Sequence, residues 1–318
     1  MRGLRSRQFV IGLALTAALA GVGCDRRATA AAPDAGKVPT PSAGSLTCAG
    51  DPRFPPTLPV AEASAAAEVE LTPGVREMLV VSDSGRHGAA LLWRLPSGPA
   101  RAIVLPLDPA ASDDLEGIAW VAAHASGAGA ALYTLTSSGA VRRFVPDGHG
   151  GLRRDQDAYA LGGAPHACSN LREVNCGRNY EGLCLRPRSV PARCAGYAAS
   201  RAAAELDCLV FEGDRLVADE LRPPMRPGRG LVPAGSLSDC AFGADPGPAR
   251  ATLLVTTNVY GGSTTYVVTE PTAVLTPIDC GGTLNNEAVA VDRDGALYLF
   301  GDIDAELSPS LRATCTIF

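Results

Sequence analysis

The chain has 318 residues, a formal net charge of −5 and 46% hydrophobic residues. That acidic balance excludes a general nucleic-acid binder, which needs a basic face. The only lysine is Lys37, in an Ala- and Pro-rich stretch. Catalysis by a lysine of the folded body is therefore excluded too.

The N-terminus reads as a targeting segment. Arg2, Arg5 and Arg7 form a basic region, and Phe9 to Val22 is an apolar run of 14 residues. Such a run is too short for an ordinary membrane-spanning helix. It leads into Gly21-Val22-Gly23-Cys24, which resembles a bacterial lipobox with Gly21 where a Leu is usual. The resemblance implies cleavage after residue 23 and a lipid on Cys24. It places the protein in the bacterial cell envelope, with the membrane as a partner through that lipid. Residues 24–47 are rich in Ala, Pro, Gly and Ser and read as a flexible tether. The folded body is expected over 48–318, long enough for one large β domain.

Within the body a short phrase recurs, an acidic residue followed by small and apolar residues. Its copies begin at Glu62, Glu116, Glu181, Asp239 and Glu287, at intervals of 54, 65, 58 and 48 residues. Units of roughly 40–50 residues with several strands each predict a β-propeller. The phrase would open the innermost strand of each unit and place one carboxylate per unit at a mouth of the central channel.

Further strands follow each phrase. Second strands are expected at Leu79–Gly85, Leu132–Gly139, Cys208–Gly213, Leu253–Thr257 and Leu297–Asp302. Third strands are clear at Ala89–Leu95, Ala140–Val145 and Thr264–Thr269, and outer strands at Arg101–Leu107 and Thr272–Ile278. Asp292-Arg293-Asp294-Gly295 is a hairpin turn. The stretch 186–206 reads as a Cys-bearing insertion, with a short helix at Ala198–Glu205. The fold expected is all-β: five blades of four antiparallel strands, with six blades as the alternative.

Ten cysteines fit an exported, oxidised protein. With Cys24 lipidated, nine remain, enough for four disulfides and one thiol. Cys48 and Cys315 lie at opposite ends of the body and can staple the ring. Cys240 with Cys280, and Cys184 with Cys208, are the other pairings expected. No Cys-x-x-Cys pair points to zinc or iron–sulfur ligation.

The phrases Glu116-Gly117-Ile118-Ala119 and Tyr180-Glu181-Gly182-Leu183, with Val81-Ser82-Asp83-Ser84-Gly85, resemble a loose group of bacterial propellers. These are the SdiA-regulated proteins and the esterase-like phytase domain, and more distantly the SMP-30 lactonases and NHL repeats. In the SMP-30 group a first-strand Glu and Asn side chains hold a divalent metal. Glu62, Glu116, Glu181 and Glu287 match the acidic part of that pattern, with Asn258 and Asn286 as possible partners.

Two functions are open to such a chain. One is an envelope-tethered binding or scaffold module for a protein, glycan or small molecule. The alternative is a calcium-dependent esterase, lactonase or phytase-like hydrolase that uses the channel carboxylates, because Ca²⁺ suits several converging oxygens. Repetition in every unit favours a structural role for the ring over catalysis. The four histidines lie in Gly- or Ala-rich loops, and no nucleophile elbow or metalloprotease motif occurs. No catalytic residue is assigned.

Overall fold

The computed structural model describes residues 46–122, 129–162, 168–187, 194–230, 232–243, 252–259, 262–280, 285–303 and 306–315. Cys24, the leader 1–23 and nearly all of the tether 24–47 lie outside the described residues.

The strands are β1 (Leu46–Gly50), β2 (Thr57–Leu58), β3 (Ala63–Thr72), β4 (Val75–Ser82), β5 (Ala89–Arg94) and β6 (Ala100–Val104). Next come β7 (Leu115–Val121), β8 (Ala131–Thr136), β9 (Ala140–Pro146), β10 (Leu152–Arg154) and β11 (Tyr159–Ala160). Then β12 (Tyr180–Leu185), β13 (Gly196–Ser200), β14 (Glu205–Glu212) and β15 (Arg215–Ala218) follow. The chain continues through β16 (Leu237–Phe242), β17 (Leu253–Val259), β18 (Gly262–Thr269) and β19 (Val274–Asp279). It ends with β20 (Asn286–Val291), β21 (Ala296–Gly301) and β22 (Ser308–Cys315). The described residues contain no α-helix.

Consecutive strands pair as antiparallel meanders: β3 to β6, β7 to β10, β12 to β15, β16 to β19 and β20 to β22. The first strand of each meander packs on its neighbours in a cycle. β3 meets β7, then β12, β16 and β20 follow in turn, and β20 returns to β3. Four-stranded meanders around a common axis are the layout of a β-propeller. The first strands β7, β12 and β16 are buried at nearly every residue, because sheets cover both their faces. They accordingly read as continuous apolar runs after the acidic residue rather than as strict alternation.

The core lies between adjacent meanders. Leu79, Leu92, Leu132 and Phe144 fill the gap between the first and second. Tyr133, Leu135, Leu183 and Leu209 fill the next, and Leu206, Leu237 and Val255 the one after. Leu254, Val289 and Leu299 join the last two meanders, and Val80, Leu91, Tyr298 and Phe300 close the circuit. Each fully buried side chain of this kind contributes about 1.5–3 kcal/mol.

The ring closes through β1, which supplies the outer strand beside β22. Cys48, Ala49 and Gly50 pair with Cys315, Thr314 and Ala313. The same strand runs parallel to β19, with Leu46 opposite Ile278 and Thr47 opposite Asp279. Four disulfides join Cys48–Cys315, Cys168–Cys176, Cys184–Cys240 and Cys194–Cys208. They fit a compartment outside the reducing cytosol.

Three sequence expectations are corrected. The supposed insertion at 186–206 contains β13, the second strand of its meander, so Ala198–Glu205 is strand and turn instead of helix. Cys184 and Cys208 stand opposite the same residue, Tyr197, from either side. They are two strand spacings apart, about 10 Å, beyond the reach of a disulfide. Cys240 and Cys280 lie at opposite edges of one four-stranded meander, farther apart still. Cys240 instead faces the adjacent meander, where Cys184 waits, and Cys280 keeps a free thiol.

Candidate functional site

Every first strand carries a β-bulge near its start, where the pairing register slips by one residue. The slips fall between Ala63 and Ala65, Leu115 and Gly117, Tyr180 and Gly182, Leu237 and Asp239, and Asn286 and Ala288. The skipped residues are Ser64, Glu116, Glu181, Ser238 and Glu287. A bulge re-aims a side chain, and these five are the equivalent positions of the ring.

The sequence alignment of the phrases is therefore off register in two units. Glu62 lies two residues before its bulge, in a left-handed conformation (φ 48°). It is only half-buried and is held by Arg86 at 2.8 Å. Asp239 lies one residue past its bulge and is buried within the protein. Its carboxylate accepts from Val289 N–H and Cys240 N–H, both at 2.7 Å. It thereby ties β16 to β20. Burial pushes its pKa well above the ordinary value, against the pull of those two donors.

Two serines take the vacated bulge positions. Ser64 Oγ donates to the carbonyl of Leu115, and Ser238 Oγ to that of Asn286 at 3.0 Å. Both bonds cross to the next meander. The other three bulges carry Glu116, Glu181 and Glu287, all buried. The glycines after two of these acids are required by close approach. A Cβ on Gly117 would lie 2.5 Å from Leu183 N, and one on Gly182 would lie 2.5 Å from the Asp239 carboxylate.

Two further positions complete each unit. Two residues before the bulges stand Glu62, Asp114, Asn179, Ser236 and Asn285. At the ends of the second strands stand Asp83, Ser137, Arg201, Asn258 and Asp302. Backbone bonds link these positions: Asp83 N–H to Glu62 O, Arg201 N–H to Asn179 O, Asn258 N–H to Ser236 O and Asp302 N–H to Asn285 O. In the second meander the Ser137 hydroxyl donates to the Asp114 carboxylate instead. All three positions are polar in every meander, so the starts of the five first strands share one polar mouth.

The charges of that mouth are unevenly matched. Glu181 accepts from Arg201 at 3.1 Å and from Asn179 at 2.8 Å. Burial, offset in part by Arg201, pushes its pKa up to about 8. Glu287 accepts from the Asn258 amide, and burial pushes its pKa up to about 7. Glu116 has neither a hydrogen-bond donor nor an ion-pair partner among the described residues, although it is only 7% exposed. Burial first, then the charges of Glu181, Asp83, Asp114 and Glu287, drive its pKa well up. Asp114 beside it is pushed to about 6, mainly by burial.

Carboxylate oxygens of Asp83, Asp114 and Glu116 lie within 4.8 Å of one another. Oxygens about 2.3–2.6 Å from one Ca²⁺ span that separation. Sequence reasoning found Glu116 but placed Asp83 within an expected second strand and did not single out Asp114 or Arg201. The signal for them was their recurrence at fixed offsets from the bulge, hidden because two phrases were aligned on the wrong residue. Asn286, an expected partner of Glu287, instead bonds through its backbone to Ser263 and Ser238.

No protein-family model and no curated protein matches the chain. Among solved structures, one described as the Dos1 propeller is similar at 10% identity and a TM-score of 0.39. The match covers 80% of this chain and 59% of that one, so this chain spans less than two thirds of its length.

Proposed function

We propose that the chain is a five-bladed β-propeller, tethered to the bacterial envelope by a lipid on Cys24, that acts as a binding module through the acidic mouth of its channel. The blades are the five meanders, the last completed by β1. The observation that carries the reading is the trio Asp83, Asp114 and Glu116, in which buried Glu116 has no hydrogen-bond or ion-pair partner among the described residues. Leaving a buried charge uncompensated is expensive. A bound divalent cation would offset most of the trio's negative charge, and an oxygen-only donor set selects Ca²⁺ over softer metals. The ion would present an electropositive centre in a polar rim, suited to a carboxylate, phosphate or sugar hydroxyl of a partner.

Calcium titration of the full chain tests this. Ca²⁺ should raise the melting temperature and appear at one equivalent in the purified protein, with EDTA reversing both. Neither change occurring would remove the mouth as a cation site. Turnover of a carboxylic or phosphate ester in the calcium form would replace the binding reading with the hydrolase one. For the tether, Cys24→Ala should release the protein from membranes. Unchanged fractionation and no acyl mass would refute lipidation.

A further inference from the structure

The odd thiol, Cys280, does not sit in isolation. Its Sγ lies with those of Cys48 and Cys315 in a cluster whose sulfurs are all within 4.8 Å of one another. The cause is the dual pairing of β1. In its antiparallel register Cys48 stands opposite Cys315. In its parallel register Leu46 faces Ile278 and Thr47 faces Asp279, which brings Cys48 alongside Cys280. One cysteine of the closing strand is thus within reach of a sulfur on each flanking strand. All three pack against Leu46, Ile278 and Leu311 in one apolar cluster.

We propose that Cys280 exchanges with the Cys48–Cys315 disulfide, so that the staple at the ring closure has two interchangeable forms. The Cys280 thiolate attacks Cys48 Sγ. A Cys48–Cys280 bond forms as the Cys48–Cys315 bond breaks, and Cys315 leaves with the electron pair. Cys315 then takes up a proton equivalent to the one Cys280 released to water. Sulfur oxidation state is conserved overall, so no oxidant or reductant enters.

The exchange moves the staple from within the last meander to the one before it, while β1 keeps a covalent link throughout. It also moves the free thiol from half-buried Cys280 to Cys315, which is 4% exposed. The second form therefore shields its thiol from bulk oxidants, whose attack follows exposure. Burial and the neighbouring Asp279 push the Cys280 thiol up to about 12. Only the thiolate attacks, so exchange is slow at neutral pH and speeds up about tenfold per pH unit.

Linkage mapping of the full oxidised chain tests this. Native protein is held at pH 6, 7.5 and 9, quenched in acid, unfolded there, alkylated with a maleimide and digested. A Cys48–Cys280 peptide with alkylated Cys315 should appear, about thirtyfold faster at pH 9 than at pH 7.5. Its rate should not depend on protein concentration. Cys280→Ser should show the Cys48–Cys315 linkage alone at every pH. Persistence of that single linkage in the parent at pH 9, or a rate that rises with protein concentration, overturns the proposal.

Discussion

Glu181 and Glu116 occupy the same bulge in neighbouring meanders, yet they meet opposite surroundings. Glu181 has Arg201 at 3.1 Å from the end of its own second strand. Glu116 has Ser137 at that position, and the carboxylates of Asp83 and Asp114 lie within 4.8 Å of its own. One half of the mouth is neutralised from within. The other half gathers like charges against the cost of burial. A ring built from equivalent positions thus becomes asymmetric through one residue choice per meander, and the asymmetry locates the site that the shared acidic phrase does not.

Asp239 lies off the bulge position with its carboxylate held by two backbone donors, and its loss should have the largest effect. Asp239→Ala strands two buried N–H groups and leaves a void, costing roughly 3–5 kcal/mol. Urea denaturation would show it, and a cost under 1 kcal/mol would deny the carboxylate its role between β16 and β20.

A pH series probes both halves together. Glu181 and Glu287 have folded pKa values near 8 and 7, above the ordinary 4.5. The folded protein then holds protons that the unfolded chain has released, so stability is full below about pH 4.5 and declines as pH rises through 7 to 8. In EDTA the protein should be a few kcal/mol more stable at pH 5 than at pH 8.5. Arg201→Met should steepen this decline, costing about 1–3 kcal/mol at pH 8.5 and much less at pH 5. An equal cost at both pH values would mean that Arg201 acts by packing rather than by charge.

Glu116→Gln should do the reverse on the unmatched side. Without calcium it should stabilise the protein by about 1 kcal/mol at pH 8.5, by removing a repelled charge. It should also abolish the rise in melting temperature with Ca²⁺. A variant that is destabilised and still responds to calcium would break the comparison. The smallest effect is expected at Ser64→Ala, about 0.5 kcal/mol for one lost inter-meander hydrogen bond, with the calcium response intact.

Much of the architecture was legible in the residues. β-branched and aromatic runs bounded by Gly and Asp gave most strands, and the recurring phrase found every first strand. The failures have physical causes. Side chains on a strand alternate faces, so an error of one residue reverses the direction in which a side chain points. The bulges add such a slip, which is why Asp239 was taken for Ser238, while Glu62 was taken for Ser64 because the phrase was aligned on its acidic residue, two positions early. β13 was missed because Tyr197-Ala198-Ala199-Ser200 favours a helix locally, and packing between β12 and β14 overrides that preference. The Cys48–Cys315 pairing was legible because the two cysteines sit at the ends of the body that must meet, whereas Cys184–Cys240 was not, because it crosses between meanders and its geometry depends on how the sheets stack.

The position of β1 also has a consequence for the order of events in time. Its cysteine is 267 residues from the one it joins, whereas every meander forms from neighbouring hairpins. Non-local contacts form late, because loop closure must precede any gain from them. A chain emerging N-terminus first therefore remains an open arc until β22 is available. Once the disulfide forms, the constraint runs the other way. A loop of that length is restrained by roughly 5.6 kcal/mol in the chain-entropy model, so the seam that is last to assemble is no longer the first to open.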